Sequence, residues 1–165
     1  MAITFGKRVY ESLNKQISEE FSSSYLYLAM SCVLKDMGLS GCASRLLRCS
    51  KEKSKNATEI IEHMQMRAGK IKLSALPAPK CDWRAPLHIF EEMFRNEQKN
   101  TIAVHAIYEL ALAEKDYQSQ CFMPPLVTRQ TEAEVSASLL LEKLRKMQSS
   151  DLGVFMFDAE LADKS

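Results

Sequence analysis

Leu13-Asn14-Lys15-Gln16-Ile17-Ser18-Glu19-Glu20-Phe21-Ser22-Ser23-Ser24-Tyr25-Leu26-Tyr27 decides the architecture of this 165-residue chain. Leu13, Ile17, Glu20, Ser24 and Tyr27 follow one another at spacings of four, three, four and three, the inward stripe of a helix packed in a bundle. The stripe is apolar at both ends and carries a carboxylate in the middle. A buried carboxylate costs several kcal/mol unless it is paired or holds a metal.

Three further stretches repeat the arrangement. The second stripe reads Leu46, Cys49, Lys53, Asn56, Ile60, His63; the third, Phe90, Met93, Glu97, Asn100, Val104; the fourth, Leu126, Gln130, Ala133, Ala137, Leu140, Leu144, Met147. Each sets polar residues among apolar neighbours: Glu20, Lys53 with Asn56, Glu97, and Gln130. Four coincidences on four helices predict one internal polar cluster.

The punctuation agrees. Long segments at 4–36, 41–68, 86–115 and 119–148, and a short one at 151–162, are bounded by Gly38 and Gly41, by Gly69, by Pro77, Pro79 and Pro86, by Asp116, and by Ser149-Ser150-Asp151. These are cap and breaker signals. Pro124-Pro125 breaks the pattern and is expected to kink the fourth segment or delay its regular start. Short first and third links predict antiparallel hairpins. The second link, from about Gly69 to Ala85, spans on the order of 50 Å at about 3.3 Å per residue, enough to travel the whole bundle. The prediction is an all-α fold: a four-helix bundle with one long crossover and a short fifth helix, one domain over residues 1–165.

Composition sets outer limits. Apolar residues make up 46% and charged residues 26%, ordinary for a globular protein. Lys plus Arg (22) balances Asp plus Glu (21), so no nucleic-acid or membrane partner is expected. The opening Met1-Ala2-Ile3-Thr4-Phe5-Gly6-Lys7-Arg8 lacks the apolar core of a cleavable leader. Five scattered cysteines without a Cys-x-x-Cys pair argue against a disulfide framework or zinc site and for reduced thiols in a cytoplasm. His63, His88 and His105 do not form a spaced ligand set and are expected on the surface or as satisfied core histidines.

A di-iron carboxylate site in a bundle takes a Glu from each of two helices and Glu-x-x-His from each of the other two. Glu20 and Glu97 meet the first requirement. The second fails, because the slots read Lys53-Ser54-Lys55-Asn56 and Gln130-Thr131-Glu132-Ala133. An ammonium group is not a ligand. Lys53 is therefore expected between Glu20 and Glu97 as a buried ion pair, in the electrostatic place of a metal.

The matching stretches Leu13–Phe21 with Ser24 and Tyr25-Leu26-Tyr27, Asn96-Glu97-Gln98, Asp116-Tyr117 and Phe155–Leu161 resemble a non-haem ferritin of the bacterial type over essentially the whole chain. The resemblance implies a 24-subunit hollow shell that takes up, oxidises and stores iron. It places Glu20 and Glu97 at metal-ligand positions, Gln130 at the glutamine beside them and Tyr27 at the neighbouring tyrosine. Lys53 stands where the family has a bridging glutamate, Asn56 where it has a histidine, and Ala133 where bacterial members have a further carboxylate. Glu52 and Glu132 match an accessory outer metal site in which Arg129 replaces an acid. These losses weigh against ferroxidase activity and resemble those of the animal light-chain ferritin. Ser54 occupies the place of the haem-ligating methionine of bacterioferritin, so no haem is expected.

The expected function is iron storage in a shell whose ferroxidase centre is degenerate, alone or co-assembled with an active subunit. Two alternatives stay open: a divergent oxidase using Glu20, Glu97, Gln130 and Glu52 or Glu132 as metal ligands, and a structural or anion-holding shell. The second of these draws on Arg45, Arg48, Lys51, Lys53 and Lys55, which make much of the second helix basic.

Overall fold

The computed structural model describes residues 5–164. Among them run α1 (Lys7–Asp36), α2 (Ser40–Met66), α3 (Pro86–Ala113), α4 (Tyr117–Met147) and α5 (Asp151–Ala162). The first four form the bundle with one long crossover, and α5 closes one end, as the sequence predicts.

Side-chain pairs fix the directions. Glu19 meets Lys99, Ser23 meets Asn96 and Asn100, and Tyr27 meets Glu97, so α3 runs against α1. Arg45 meets Ser136, Lys53 meets Gln130 and Glu59 meets Arg129, so α4 runs against α2. The tight turn at residues 37–39 reverses α1 into α2. Hence α2 and α3 are parallel, and residues 67–85 must cover the length of the bundle between them. A 27-residue helix is about 40 Å long. Trp83 pins the far end of this strap: its ring is buried and its indole N–H donates to Glu92 Oε2 at 2.7 Å.

Three helix ends close in the same way. A left-handed residue (Gly38, Ala68 or Lys115) is followed by an amide that reaches back five residues: Leu39 to Leu34 O, Gly69 to Met64 O and Asp116 to Ala111 O. This Schellman closure satisfies carbonyls that would otherwise be orphaned. Gly38 suits the conformation without strain. At the second end the left-handed residue is Ala68, and the expected breaker Gly69 supplies the closing amide instead.

The delayed start expected from Pro124-Pro125 does not occur, because the helix runs through both prolines. Asp116 accepts from Ser119 N and caps α4, so regular helix begins at Tyr117, before the prolines. The two rings, both exposed, remove the amides that would have bonded Gln120 O and Cys121 O.

The core is cut in two. One apolar cluster gathers Tyr27, Met30, Leu34, Leu46, Phe90, Met93, Leu141 and Phe157 at the α5 end. The other gathers Val9, Leu13, Ile17, Ile60, Met64, Val104, Ile107 and Leu126 at the opposite end. Between them lies a polar waist, and every predicted stripe crosses it. The stripes shift slightly: Ser23 and Leu141 are buried where Ser24 and Leu140 were expected, and Ser24, Leu140, Asn56, Ala133 and Met147 are half-buried.

Candidate functional site

Four helices each send one group into the waist. Glu20, Lys53, Glu97 and Gln130 are all no more than 4% exposed. Lys53 lies on the inner face of α2 one turn beyond Cys49, and its extended chain crosses to α3. There Nζ donates to Glu97 Oε2 at 2.7 Å and to Gln130 Oε1 at 3.0 Å. Gln130 closes a ring by donating from Nε2 to the same Glu97 oxygen at 2.7 Å and to the Glu97 backbone carbonyl at 3.1 Å. Tyr27 donates its hydroxyl to the other carboxylate oxygen, Glu97 Oε1, at 2.5 Å. Glu97 is thus fully occupied by an ammonium, an amide and a phenol.

The expectation that Lys53 stands between two carboxylates needs correction. Among the described residues its ion pair is with Glu97 alone. Glu20 is held by amides, Gln16 Nε2 at 2.9 Å on Oε1 and Asn56 Nδ2 at 3.3 Å on Oε2. Burial pushes the Glu20 carboxyl above its usual range; the Lys53 charge and the two amides pull the other way without cancelling it. Burial and the Glu97 charge likewise raise Tyr27 well above an ordinary phenol, so it stays protonated and acts as a donor.

Sequence reading brought six residues together, and the structure places all six in the waist as two hydrogen-bonded groups: Tyr27, Lys53, Glu97 and Gln130 in one, Glu20 and Asn56 in the other. Glu52 and Glu132 are exposed and stand on the rim of the groove between α2 and α4, whose floor includes Lys53, Asn56 and Gln130. Arg129 holds Glu59 with both terminal nitrogens. Ser54 is half-buried.

The residues that steady the layer were given no such role from sequence, although Asn100 stands on the third stripe and Asn96 in a matching stretch. Asn96 donates to Tyr27 Oη at 3.0 Å and to Ser23 Oγ at 2.9 Å, and Asn100 donates to Ser23 Oγ at 3.0 Å. Gln16 carried a readable signal, since it sits four residues before Glu20 on one helix face. Asn96 lies beside the stripe, where spacing alone gives no cue.

The donor set decides what the waist can hold. Among the described residues, no group of three or more His, Cys, Asp and Glu side chains comes together to bind a metal. A ferrous pair brings four positive charges into a space already holding an ammonium, with two carboxylates to meet them. The residues present do not fit di-iron.

Comparison with known proteins bears on the frame around this layer. The profile of the Ferritin-like domain matches residues 10–147. The chain belongs to the ferritin-like family. Among relatives of this ferritin-family chain, the bacterial non-heme ferritin of Bacteroides fragilis is 31% identical over 158 residues, covering 96% of this chain and 98% of the relative. That of Staphylococcus saprophyticus is 26% identical over 159 residues, covering 96% and 95%. The open pore ferritin from the hyperthermophilic archaeon Archaeoglobus fulgidus superposes with a TM-score of 0.93 at 31% identity, covering 97% of this chain and 98% of that one. The ferritin fold expected from the sequence is therefore present.

A second buried polar cluster ties the C-terminal end of α2 to the start of α4. Arg67 pairs with Asp116 at 2.9 Å and donates to Ser119 Oγ at 2.9 Å, and its guanidinium lies 3.6 Å from the Phe5 ring centroid. His63 stacks on Phe122 at 4.1 Å. His88 and His105 are exposed, so each histidine takes one of its two expected roles. Ser119, His63 and Asp116 are neighbours, yet Asp116 bonds Ser119 and Arg67, leaving no carboxylate to orient the imidazole. Nucleophilic catalysis has no footing there.

This cluster carries an acid-stability prediction. Burial first, then the Arg67 charge, pulls the His63 imidazole down to about 4. That lies below the unfolded-chain value of about 6.5. His63 thus stabilises the fold above about pH 6.5, and that contribution drains away as pH falls toward 4. By about pH 4.5 the loss amounts to about 2 kcal/mol. Replacing His63 with Phe, which keeps the stacking surface, should flatten the acid limb of the stability curve by that amount. An acid limb identical to the parent's in urea titrations refutes the assignment.

Proposed function

We propose that this chain is a shell-forming ferritin subunit that contributes to iron storage without a ferroxidase centre of its own, alone or co-assembled with an active subunit. The observation that carries this reading is the Lys53 ammonium, 2.7 Å from Glu97 in the buried layer where the resemblance places iron. Glu97 spends its oxygens on three protein donors, and Glu20 on two amides. Both carboxylates are thereby satisfied by protein groups alone, without a metal ion. Iron in this reading is cargo of the assembly and is oxidised elsewhere, at a partner subunit or at mineral already formed.

The divergent-oxidase alternative finds less support. Its outer candidates, Glu52 and Glu132, are exposed, and the groove they border also presents Arg45, Lys55 and Arg129. Assembly is supported by apolar side chains that the isolated chain leaves in solvent. On α5, Leu152, Phe155 and Met156 are 69%, 61% and 53% exposed, while Phe157 and Leu161 are buried on its other side. A helix with large apolar side chains on two faces belongs in contact on more than one side. Cytoplasmic residence suits the free thiols of Cys32, Cys81 and Cys121, all exposed.

The test combines solution mass, particle images and iron content after purification from iron-fed cells. The proposal expects a closed particle of many copies carrying ferric iron, alone or only with an active ferritin co-expressed. A monomer or simple dimer, or an iron-free shell under both conditions, overturns it.

A further inference from the structure

The groove between α2 and α4 has a volume of about 390 Å³, and its walls carry four cations, Arg45, Lys53, Lys55 and Arg129, against two carboxylates, Glu52 and Glu132. Two of these cations have their charge matched: Lys53 by Glu97 and Arg129 by Glu59. Arg45 is different. It is half-buried, its Nη2 is held by Ser136 Oγ at 2.8 Å, and among the described residues it pairs with no carboxylate. A partly desolvated guanidinium fixed by a hydroxyl and lacking a counter-ion is an oriented donor in search of an acceptor.

Two more donors remain around it. Lys53 uses two acceptors for its three ammonium protons. Arg129 keeps its Nε buried without a partner while both terminal nitrogens are spent on Glu59. A divalent cation in this space would meet four positive side chains. A chloride would leave most donors unanswered. A tetrahedral oxyanion offers several acceptors at once and suits a fork-shaped donor.

We infer that this groove is a binding site for a compact polyvalent oxyanion of the phosphate class, with Arg45 as its principal donor and Lys55 closing over it from the rim. Glu52 and Glu132 oppose the anion and hold the affinity down. The site goes beyond the storage reading and stands or falls separately, because each chain carries its own groove whether or not it handles iron.

Inorganic phosphate is the probe, added to protein stripped of iron and phosphate, with chloride balancing ionic strength. Calorimetry or equilibrium dialysis should give saturable binding of about one phosphate per chain. Arg45→Gln, which retains a donor to Ser136, should weaken it about tenfold. The paired variant Glu52→Gln/Glu132→Gln should tighten it several-fold, an effect that misfolding cannot imitate. Arg145→Gln, on the exposed pair with Glu91 outside the groove, should bind as the parent does. Absence of saturable binding overturns the inference. So does equal affinity in the parent, Arg45→Gln and the double Gln variant, because the phosphate would then be held elsewhere or by screening alone. Sulfate competing as well as phosphate supports the general oxyanion site.

Discussion

Replacing Lys53 with Met should lower the stability of the fold by about 3 kcal/mol or more, seen as a downward shift of the urea midpoint with unchanged slope. The side chain is nearly isosteric, so little packing is lost. What remains is the buried Glu97 carboxylate, with Tyr27 and Gln130 still donating but no charge to balance it. Breaking one side of a buried ion pair costs more than the pair contributes, because the survivor keeps its desolvation penalty. Removing that survivor's charge should recover most of the loss: Lys53→Met combined with Glu97→Gln is expected to stand within about 1 kcal/mol of the parent. A Lys53→Met variant as stable as the parent would show that the ion pair does not organise the waist.

The second large effect is a gain. Lys53→Glu with Asn56→His rebuilds a Glu-x-x-His pair on α2, facing Glu20 and Glu97 at the positions a bundle di-iron site requires. The change removes the ammonium and adds a carboxylate, moving the local charge by two units toward metal binding. Asn56 already reaches Glu20 Oε2, so a ring at this position points into the same space. Ferrous or zinc titration should show saturable binding that the parent lacks, with a matching rise in thermal midpoint as metal is added. Lys53→Glu alone, without metal, should be less stable than the parent, since three carboxylates then share one buried layer. If the double variant binds no metal while remaining folded, the four helices do not hold the geometry inferred for them.

Much of this could be read from the chain. Spacing of four and three located Glu20, Lys53, Glu97 and Gln130, because a carboxylate or ammonium amid Leu, Ile and Phe on one face has nowhere to go but inward. Link lengths gave the topology, since three residues cannot cross a bundle and residues 67–85 can. Register along the longer helices was less secure. The stripe on α4 slips from Leu140 to Leu141 because a straight helix drifts by roughly 20° per heptad against a strict seven-residue repeat. Spacing also fixes height along the bundle better than direction around it. That is why spacing puts Lys53 between both carboxylates, whereas of the two its ammonium bonds Glu97 and not Glu20.

Other features had no local signature at all. Ala68 and Lys115 take the left-handed conformation usually left to glycine, and hydrogen bonds formed by the following amides hold them there. Arg67 meets Asp116 and Ser119 across 49 and 52 residues of sequence at the mouths of two helices, where no periodicity operates. Asn96 lies beside the stripe, and its bonds to Tyr27 and Ser23 emerge only in the assembled layer.

Anaerobic addition of ferrous iron to the parent protein, followed by air, tests the exclusion of iron from the waist most directly. With the Lys53 ammonium seated on Glu97, the account predicts no fast rise in ferric absorbance scaling with protein, only slow oxidation scaling with total iron. A rapid phase saturating at about two irons per chain would mean that iron reaches Glu20 and Glu97 after all, and would contradict it.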